Sequence, residues 1–377
     1  AMVNLQQGFN ERRRSPDSRE KSDKAKPCHP EVLRAELERI TPDSLQAFQQ
    51  ECVQALHRRG LLQGQTYAID GSGLGTQYQL VGLLNVHKGR PMWMAWRVLA
   101  GEASEKGAEA HVVKDMVDQV LEITGAGGIE WLLLDALYAD GPLLAWLKYA
   151  RGIKVLVRLP EDRRAYEDLM LLVGQGLADT ETHMDVSYLS GQKHQRRIST
   201  SVAESGDWES FRQAATAWGD PEARLWVCAI RVVDMIKPDE EKTWALVSTH
   251  FFSSGWQGYG LWRKRWRIEN SGFRELKEGW HLEKAPWSYR HPVITLARVT
   301  LTLVAFNVAQ VAKTARGRQL TDRGIRRLRR ELTSRYGPAP VIVFAGDAYG
   351  VFHIEEIATA LGVPPAFRLQ RKADTLS

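Results

Sequence analysis

The 377-residue chain is short of the residues that anchor several protein classes. Its three cysteines, Cys28, Cys52 and Cys228, have no Cys-x2-Cys spacing, so they form neither a zinc pattern nor a disulfide framework. Such sparse usage fits a reducing cytosol. The ten histidines show no His-Glu-x2-His or other ligand spacing, and His87, His111 and His281 read as ordinary core or surface residues. Gly-Ser-Gly-Leu-Gly at 71–75 is a turn after a strand, since no Gly-x4-Gly-Lys-Ser/Thr pattern follows to make it a phosphate loop. No unbroken run of about 18 apolar residues is present, so no membrane span is expected. The polar N-terminus lacks the apolar segment of a secretory signal. There is no internal repeat.

What remains is globular in composition: 44% hydrophobic, 25% charged, 31 Gly and 15 Pro. Disordered, collagen-like and coiled-coil classes are excluded by those proportions. The net charge of +6 is modest, but its distribution is uneven. Residues 313–335 carry nine Lys/Arg against two Asp/Glu, a local +7 that suits a polyanion such as nucleic acid.

Residues 1–30, polar and broken by Pro16, Pro27 and Pro30, read as a flexible tail. From 31 to 62 the apolar positions recur at three and four residues, a pair of amphipathic helices with Thr41-Pro42-Asp43 as break and cap. Over 63–160 the pattern gives three strands, then helix, strand, helix, strand, a mixed sheet flanked by helices in an α/β fold. Residues 161–250 alternate like antiparallel strands and read as a β-rich insertion. The stretch 251–315 returns to helix, and 316–377 is expected to be a basic helical region.

Three acids stand out by position. Asp70 closes the apolar run Tyr67-Ala68-Ile69, and Asp135 closes Trp131-Leu132-Leu133-Leu134, so both are expected at strand C-terminal edges, where α/β sheets place ligands. A carboxylate there must be paired, hydrogen-bonded or metal-bound. Asp140, ahead of Gly141-Pro142, reads instead as a helix N-cap. Glu269 shares a helix face with Trp262, Arg265, Phe273 and Leu276 at spacings of three and four. Arg263, Lys264, Arg267, Arg274 and Lys277 surround it, and aromatics interleaved with cations suit phosphates and unstacked bases. Trp256 is a further candidate to receive a flipped base.

These blocks, AIDGSGL, then LLDALYADGPLL with GIKVLVRLP, then WRKRWRIENSGFRELK, resemble the three signatures of DDE transposases from bacterial insertion sequences. They are most similar to the branch with a β-rich insertion before the last catalytic Glu and a Tyr-x2-Arg-x3-Glu-x6-Lys motif, over about residues 60–310. The resemblance implies an RNase H-like core with Asp70, Asp135 and Glu269 as catalytic and metal-binding triad, and Arg265 as the motif arginine. Arg158 matches a basic position of the branch. Two positions depart from the motif. Trp262 stands where the tyrosine would be, with Tyr259 one turn earlier, and Lys277 falls one residue late. On a regular helix that delay turns Lys277 by about 100°, which a π-bulge near Asn270-Ser271-Gly272 would restore.

The implied chemistry is metal-dependent cleavage and strand transfer of DNA. Two Mg²⁺ about 3.5–4 Å apart stabilise the attacking and leaving oxygens of an in-line displacement, and hard Mg²⁺ takes carboxylates without Cys or His. Mn²⁺ is expected to substitute. The implied partners are double-stranded DNA, as element terminal repeats and target, and a second copy of the chain. The implied location is the nucleoid-associated cytoplasm of a bacterial cell. The residues also admit an inactive transposase-derived DNA-binding protein, and an RNase H-like nuclease without strand transfer. Relatives carry a longer helical domain before the first acid, so the Ala1-Met2 start leads to the expectation of a missing N-terminal segment.

Neutralising Arg326, Arg327, Arg329 and Arg330 together is expected to weaken DNA binding and flatten its salt dependence. Each lost phosphate contact lowers the slope of log K against log salt by about 0.9. An unchanged slope in a salt titration would place this stretch away from DNA.

Overall fold

Apolar strands bounded by turn residues build most of the architecture. The computed structural model describes residues 40–75, 78–100, 109–189, 192–205, 208–236, 241–280, 282, 292–315, 341–345 and 348–352. The chain divides into two compact units, Leu62–Glu278 and Ala1–Leu61 with Gly279–Ser377.

The first unit opens with β1 (Thr66–Leu74), β2 (Tyr78–Asn85) and β3 (Met92–Ala100), an antiparallel meander. Helix α2 (Glu109–Thr124) crosses over to β4 (Trp131–Leu134), which runs parallel to β1. A second crossover, α3 (Gly141–Ala145) continued by a π-helical turn at Trp146–Ala150, leads to β5 (Lys154–Leu159), parallel to β4. Asp140 caps α3 as expected, its carboxylate accepting from Leu143 N at 2.8 Å. Strands β2 and β4 are buried almost end to end, as is the first half of β3.

The β-rich segment extends this sheet rather than forming a separate one. After α4 (Arg164–Gly174) come β6 (Asp179–Leu189), β7 (Gln192–Ser205), α5 (Glu209–Thr216), β8 (Leu225–Asp234) and β9 (Glu241–Ser248). Strand β9 pairs antiparallel with β5, giving the order β3-β2-β1-β4-β5-β9-β8-β7-β6. The four strands match the sequence pattern. Helices α4 and α5 were not anticipated, because their short apolar repeats sit between strands and read as turns. Helix α6 (Gly255–Arg267) then packs across β4 to β8. It starts at Ser254, whose hydroxyl accepts from Gln257 N.

Helix α6 does not end as a regular helix. It widens into π-helical turns at Ile268–Phe273 and Glu275–Gly279, the first of them spanning the Asn270-Ser271-Gly272 position expected to bulge. The π-turn lies close against β2 and β3. A Cβ on Gly272 would sit 2.9 Å from the ring of Trp93, and one on Gly82 would sit 2.3 Å from it. The indole, with no exposed surface, is therefore wedged between two glycines, and Phe273 packs at 5.0 Å from it.

In the second unit, α1 (Pro42–Arg58) begins with a capping box. Thr41 and Ser44 exchange side-chain to backbone hydrogen bonds at 3.2 Å just ahead of the first turn. It packs against α7 (Pro292–Ala315). The stretch Pro292–Val311 has a mean hydropathy of 1.6, so by length and composition it is long and apolar enough to cross a membrane. This corrects the expectation from unbroken apolar runs, which Thr295, Arg298, Thr300 and Asn307 interrupt. Its most apolar window is 56% buried inside the protein, with Val299, Leu303 and Phe306 fully enclosed, a property of core helices.

A helical region was expected over 316–377, but β10 (Val341–Ala345) and β11 (Ala348–Phe352) form an antiparallel pair there. Val341-Ile342-Val343-Phe344, β-branched and aromatic after two prolines, explains the strand. The basic stretch 322–335, with Arg326, Arg327, Arg329 and Arg330, lies outside the described residues, as do 1–39.

Gly272→Ala is expected to destabilise the protein by about 1–3 kcal/mol, the usual cost of overpacking, because the buried Trp93 ring has no room to retreat. Urea denaturation checks it. A midpoint equal to that of the unchanged protein would mean the π-turn is free to lift off the sheet.

Candidate active site

The parallel register brings the two aspartates together. Ile69 pairs with Leu134 and Leu134 with Val157, so Asp70, Asp135 and Arg158 form the next row across β1, β4 and β5. One expectation needs correcting. Asp70 does not end its strand, since β1 continues through Leu74 against β2. It ends only the parallel ladder with β4, and that ladder's edge is what opens the site.

Helix α6 lays the third acid beside this row. Arg265 Nη1 donates to Asp70 Oδ2 at 3.1 Å, and Nη2 donates to Glu269 Oε1 and lies 3.7 Å from Asp135 Oδ1. A single guanidinium thus meets all three carboxylates. The Arg265 side chain is only 6% exposed, against 17% for Asp70, 37% for Asp135 and 40% for Glu269. The arginine forms the floor of the site and the acids line its mouth. Beneath it, the Trp262 ring lies 4.6 Å from the guanidinium carbon, and Arg265 Nε is buried with no hydrogen-bond partner among the described residues. A cation above an aromatic face is held by the ring's quadrupole. Burial pushes the Asp70 carboxyl up to about 6, and the carboxylates of Asp135 and Glu269 add to the rise. Arg265 and the Gly71 N–H, which donates to Asp70 Oδ1 at 2.9 Å, pull it back.

The other expected contacts divide by position. Arg158 is half exposed in the row of the acids, 3.7 Å from Glu161. Arg263 is half exposed and pairs with Asp185 at 2.9 Å. Lys264 is half-buried on the same helix. Lys277 is half-buried within the second π-helical turn, Glu275–Gly279. Three expectations are corrected. Trp262, 4% exposed, packs its ring against the Arg265 guanidinium and is almost wholly buried. Arg267 turns to the β2–β3 turn and donates to the carbonyl of Val86, so it ties the helix down rather than facing a phosphate. Trp256 has one face taken by His183, ring to ring at 4.5 Å.

Sequence reasoning missed a cavity of about 530 Å³ beside α6. Its walls are Arg196, Val232, Asp234, Lys242 and Trp244 from β7 to β9, with Tyr259, Trp262, Arg263 and Trp266 from the helix. Trp266 is 52% exposed. The alternation of Lys242 and Trp244 on β9 signals one shared face, but nothing in the sequence says that α6 lies over it.

A strand order of β3-β2-β1-β4-β5 with acids at the edge of its parallel centre, and a third on a helix laid across it, is that of an RNase H-like core. The family model for the transposase DDE domain matches residues 76–308, more than half of the chain, and the chain belongs to that family. The match takes in Asp135, Arg265 and Glu269 and begins just after Asp70. No curated protein matches the chain. The protein is accordingly a transposase, an enzyme that acts on DNA, in a family whose members use divalent metal ions.

The donor chemistry fits such an ion, being three carboxylates without thiol or imidazole. As they stand the acids are engaged by Arg265. Among the described residues no group of three or more His, Cys, Asp or Glu is gathered closely enough to hold a metal.

Because the folded state raises the Asp70 pKa from 3.8 to about 6, it takes up a proton that the unfolded chain does not between those values. Ionised Asp70 therefore destabilises the metal-free protein above about pH 6. Asp70→Asn is expected to raise stability by roughly 1–3 kcal/mol at pH 8, with the gain fading as pH falls below about 6. Urea titrations at pH 8 and pH 5 check it, and a loss of stability at pH 8 would contradict it.

Proposed function

We propose that this transposase catalyses Mg²⁺-dependent cleavage and strand transfer at the ends of an insertion sequence, by a cut-and-paste route. The observation that carries the reading is the meeting of Asp70, Asp135 and Glu269, from two strand edges and one helix, around a single buried guanidinium. These three would hold Mg²⁺, with Mn²⁺ able to substitute. When bound, the metal supplies Lewis-acid stabilisation of the attacking and leaving oxygens at phosphorus.

The remaining work falls to the protein's own side chains. Arg158, in the row of the acids and half exposed, is placed to hold a phosphate beside the scissile bond. Lys242 lines the neighbouring cavity with Arg196 and Arg263, which pair with Asp234 and Asp185, while Trp244 and Trp266 offer aromatic surface. Cations for phosphates and ring faces for bases suit a DNA strand leaving the duplex. Lys264 and Lys277 add charge along the same helix. Cleavage by water frees a 3′-hydroxyl, which then attacks target DNA. Joining two ends to one target calls for two active sites, so the working form in this reading is a homodimer on paired terminal repeats.

Glu269→Gln is expected to abolish cleavage and leave DNA binding nearly unchanged, because it removes a metal donor and no phosphate contact. The assay incubates the protein with Mg²⁺ or Mn²⁺ and DNA carrying the sequences that flank its own gene. Breaks at the element ends that vanish in the mutant support the triad, and joined products separate a transposase from a simple nuclease. Strong residual cleavage by Glu269→Gln would overturn the assignment. Salt-sensitive binding without breaks would favour a DNA-binding derivative.

A further inference from the structure

Arg265 is bound where the metal chemistry has to happen. Its two terminal nitrogens are shared among Asp70, Asp135 and Glu269, its third, Nε, is buried with no acceptor among the described residues, and the guanidinium carbon lies over the Trp262 ring. Three carboxylates packed at a sheet edge repel one another, and one guanidinium offsets part of that repulsion with bidentate geometry a lysine lacks. The oxygens it engages are those a divalent ion needs, and a positive charge among them opposes the arrival of another.

We infer that Arg265 is the resident cation of the site. It holds the three acids in the DNA-free protein and keeps metal affinity low until a DNA phosphate draws the guanidinium away. This rests on the proposed metal-binding role of Asp70, Asp135 and Glu269 and adds a regulation to it. Metal and DNA are then thermodynamically coupled, each raising affinity for the other through one arginine. The consequence is protective, since a transposase without its DNA does not carry a loaded phosphodiester-cutting centre. Trp262 is the positioning residue of the device. Its ring fixes the plane of the guanidinium, a service that follows from an indole at this position and that a phosphate-contacting hydroxyl does not supply.

The test is Mn²⁺ binding followed by isothermal titration calorimetry without DNA, on the unchanged protein, Arg265→Gln and Arg265→Lys. Arg265→Lys keeps the charge but not the planar fork, and circular dichroism confirms that each variant is folded. Arg265→Gln is expected to bind Mn²⁺ at least tenfold tighter than the unchanged protein, and Arg265→Lys, which keeps a cation among the acids, to bind it less tightly than Arg265→Gln. A 20-bp duplex of arbitrary sequence at low salt should raise the affinity of the unchanged protein by a similar factor and that of Arg265→Gln by much less. If Arg265→Gln binds Mn²⁺ no more tightly than the unchanged protein, while Asp70→Asn abolishes binding, the resident-cation role is overturned and the metal site stands. If Mn²⁺ binds to none of them, or binds equally to Asp70→Asn, the metal reading falls and the inference with it.

Discussion

The contact between one buried guanidinium and three carboxylates organises the rest of this protein. Asp70 and Asp135 come from neighbouring parallel strands and Glu269 from a helix nearly 200 residues later in the chain than Asp70. Left alone, three acids at a sheet edge would take up protons or splay apart. Arg265, four residues before Glu269 on the same helix, couples that helix to both strands through charge. The rise of Asp70 to about 6 despite this partner measures how strongly burial and the other two acids press on it.

That constraint explains why helix α6 is built as it is. It must enter over the extended sheet, present Arg265 and Glu269 to the strand edges, and stay close to β2 and β3. Ser254 and the β6 residue Glu181, which accepts from Trp256 N at 2.8 Å, fasten its start. Gly272 lets its widened end come against Trp93, and Arg267 bonds the β2–β3 turn. The four added strands therefore do more than enlarge the molecule. They supply the surface on which helix α6 begins, and with it the wall of a cavity lined by charged and aromatic side chains. In a DNA-cutting enzyme such a cavity is where strand contacts are most useful.

The π-helical turns link a departure in sequence to a feature of the backbone. The family motif spaces its glutamate and lysine seven residues apart, and here Lys277 lies eight from Glu269. On a regular helix the extra residue would turn Lys277 by about 100°, and here Glu269 and Lys277 lie instead in two successive π-helical turns. The indole of Trp262 is a different case, since it replaces a hydroxyl with a ring face and finds a use beneath Arg265.

Much of this was legible in the residues. Apolar runs that end in acids and turn residues between alternating segments follow from local preferences, and strands β1 to β9 lie where those preferences put them. The acids stood out because a carboxylate closing a buried strand must find a partner. Which partner it finds is not local. That Asp70 lies inside a strand and only beyond its parallel ladder depends on pairing with β2 and β4. Whether an arginine on an amphipathic helix meets a carboxylate, as Arg263 and Arg265 do, or a backbone carbonyl, as Arg267 does, depends on what lies across from it. The cavity walls come from strands and a helix that sequence cannot superpose. Helix and strand periodicity, with the identity of the acids, was therefore determined by the chain alone. The order of strands, the burial of Arg265 and the company of each charge were decided by tertiary packing, because only packing brings distant charges within a few ångströms and removes the water between them.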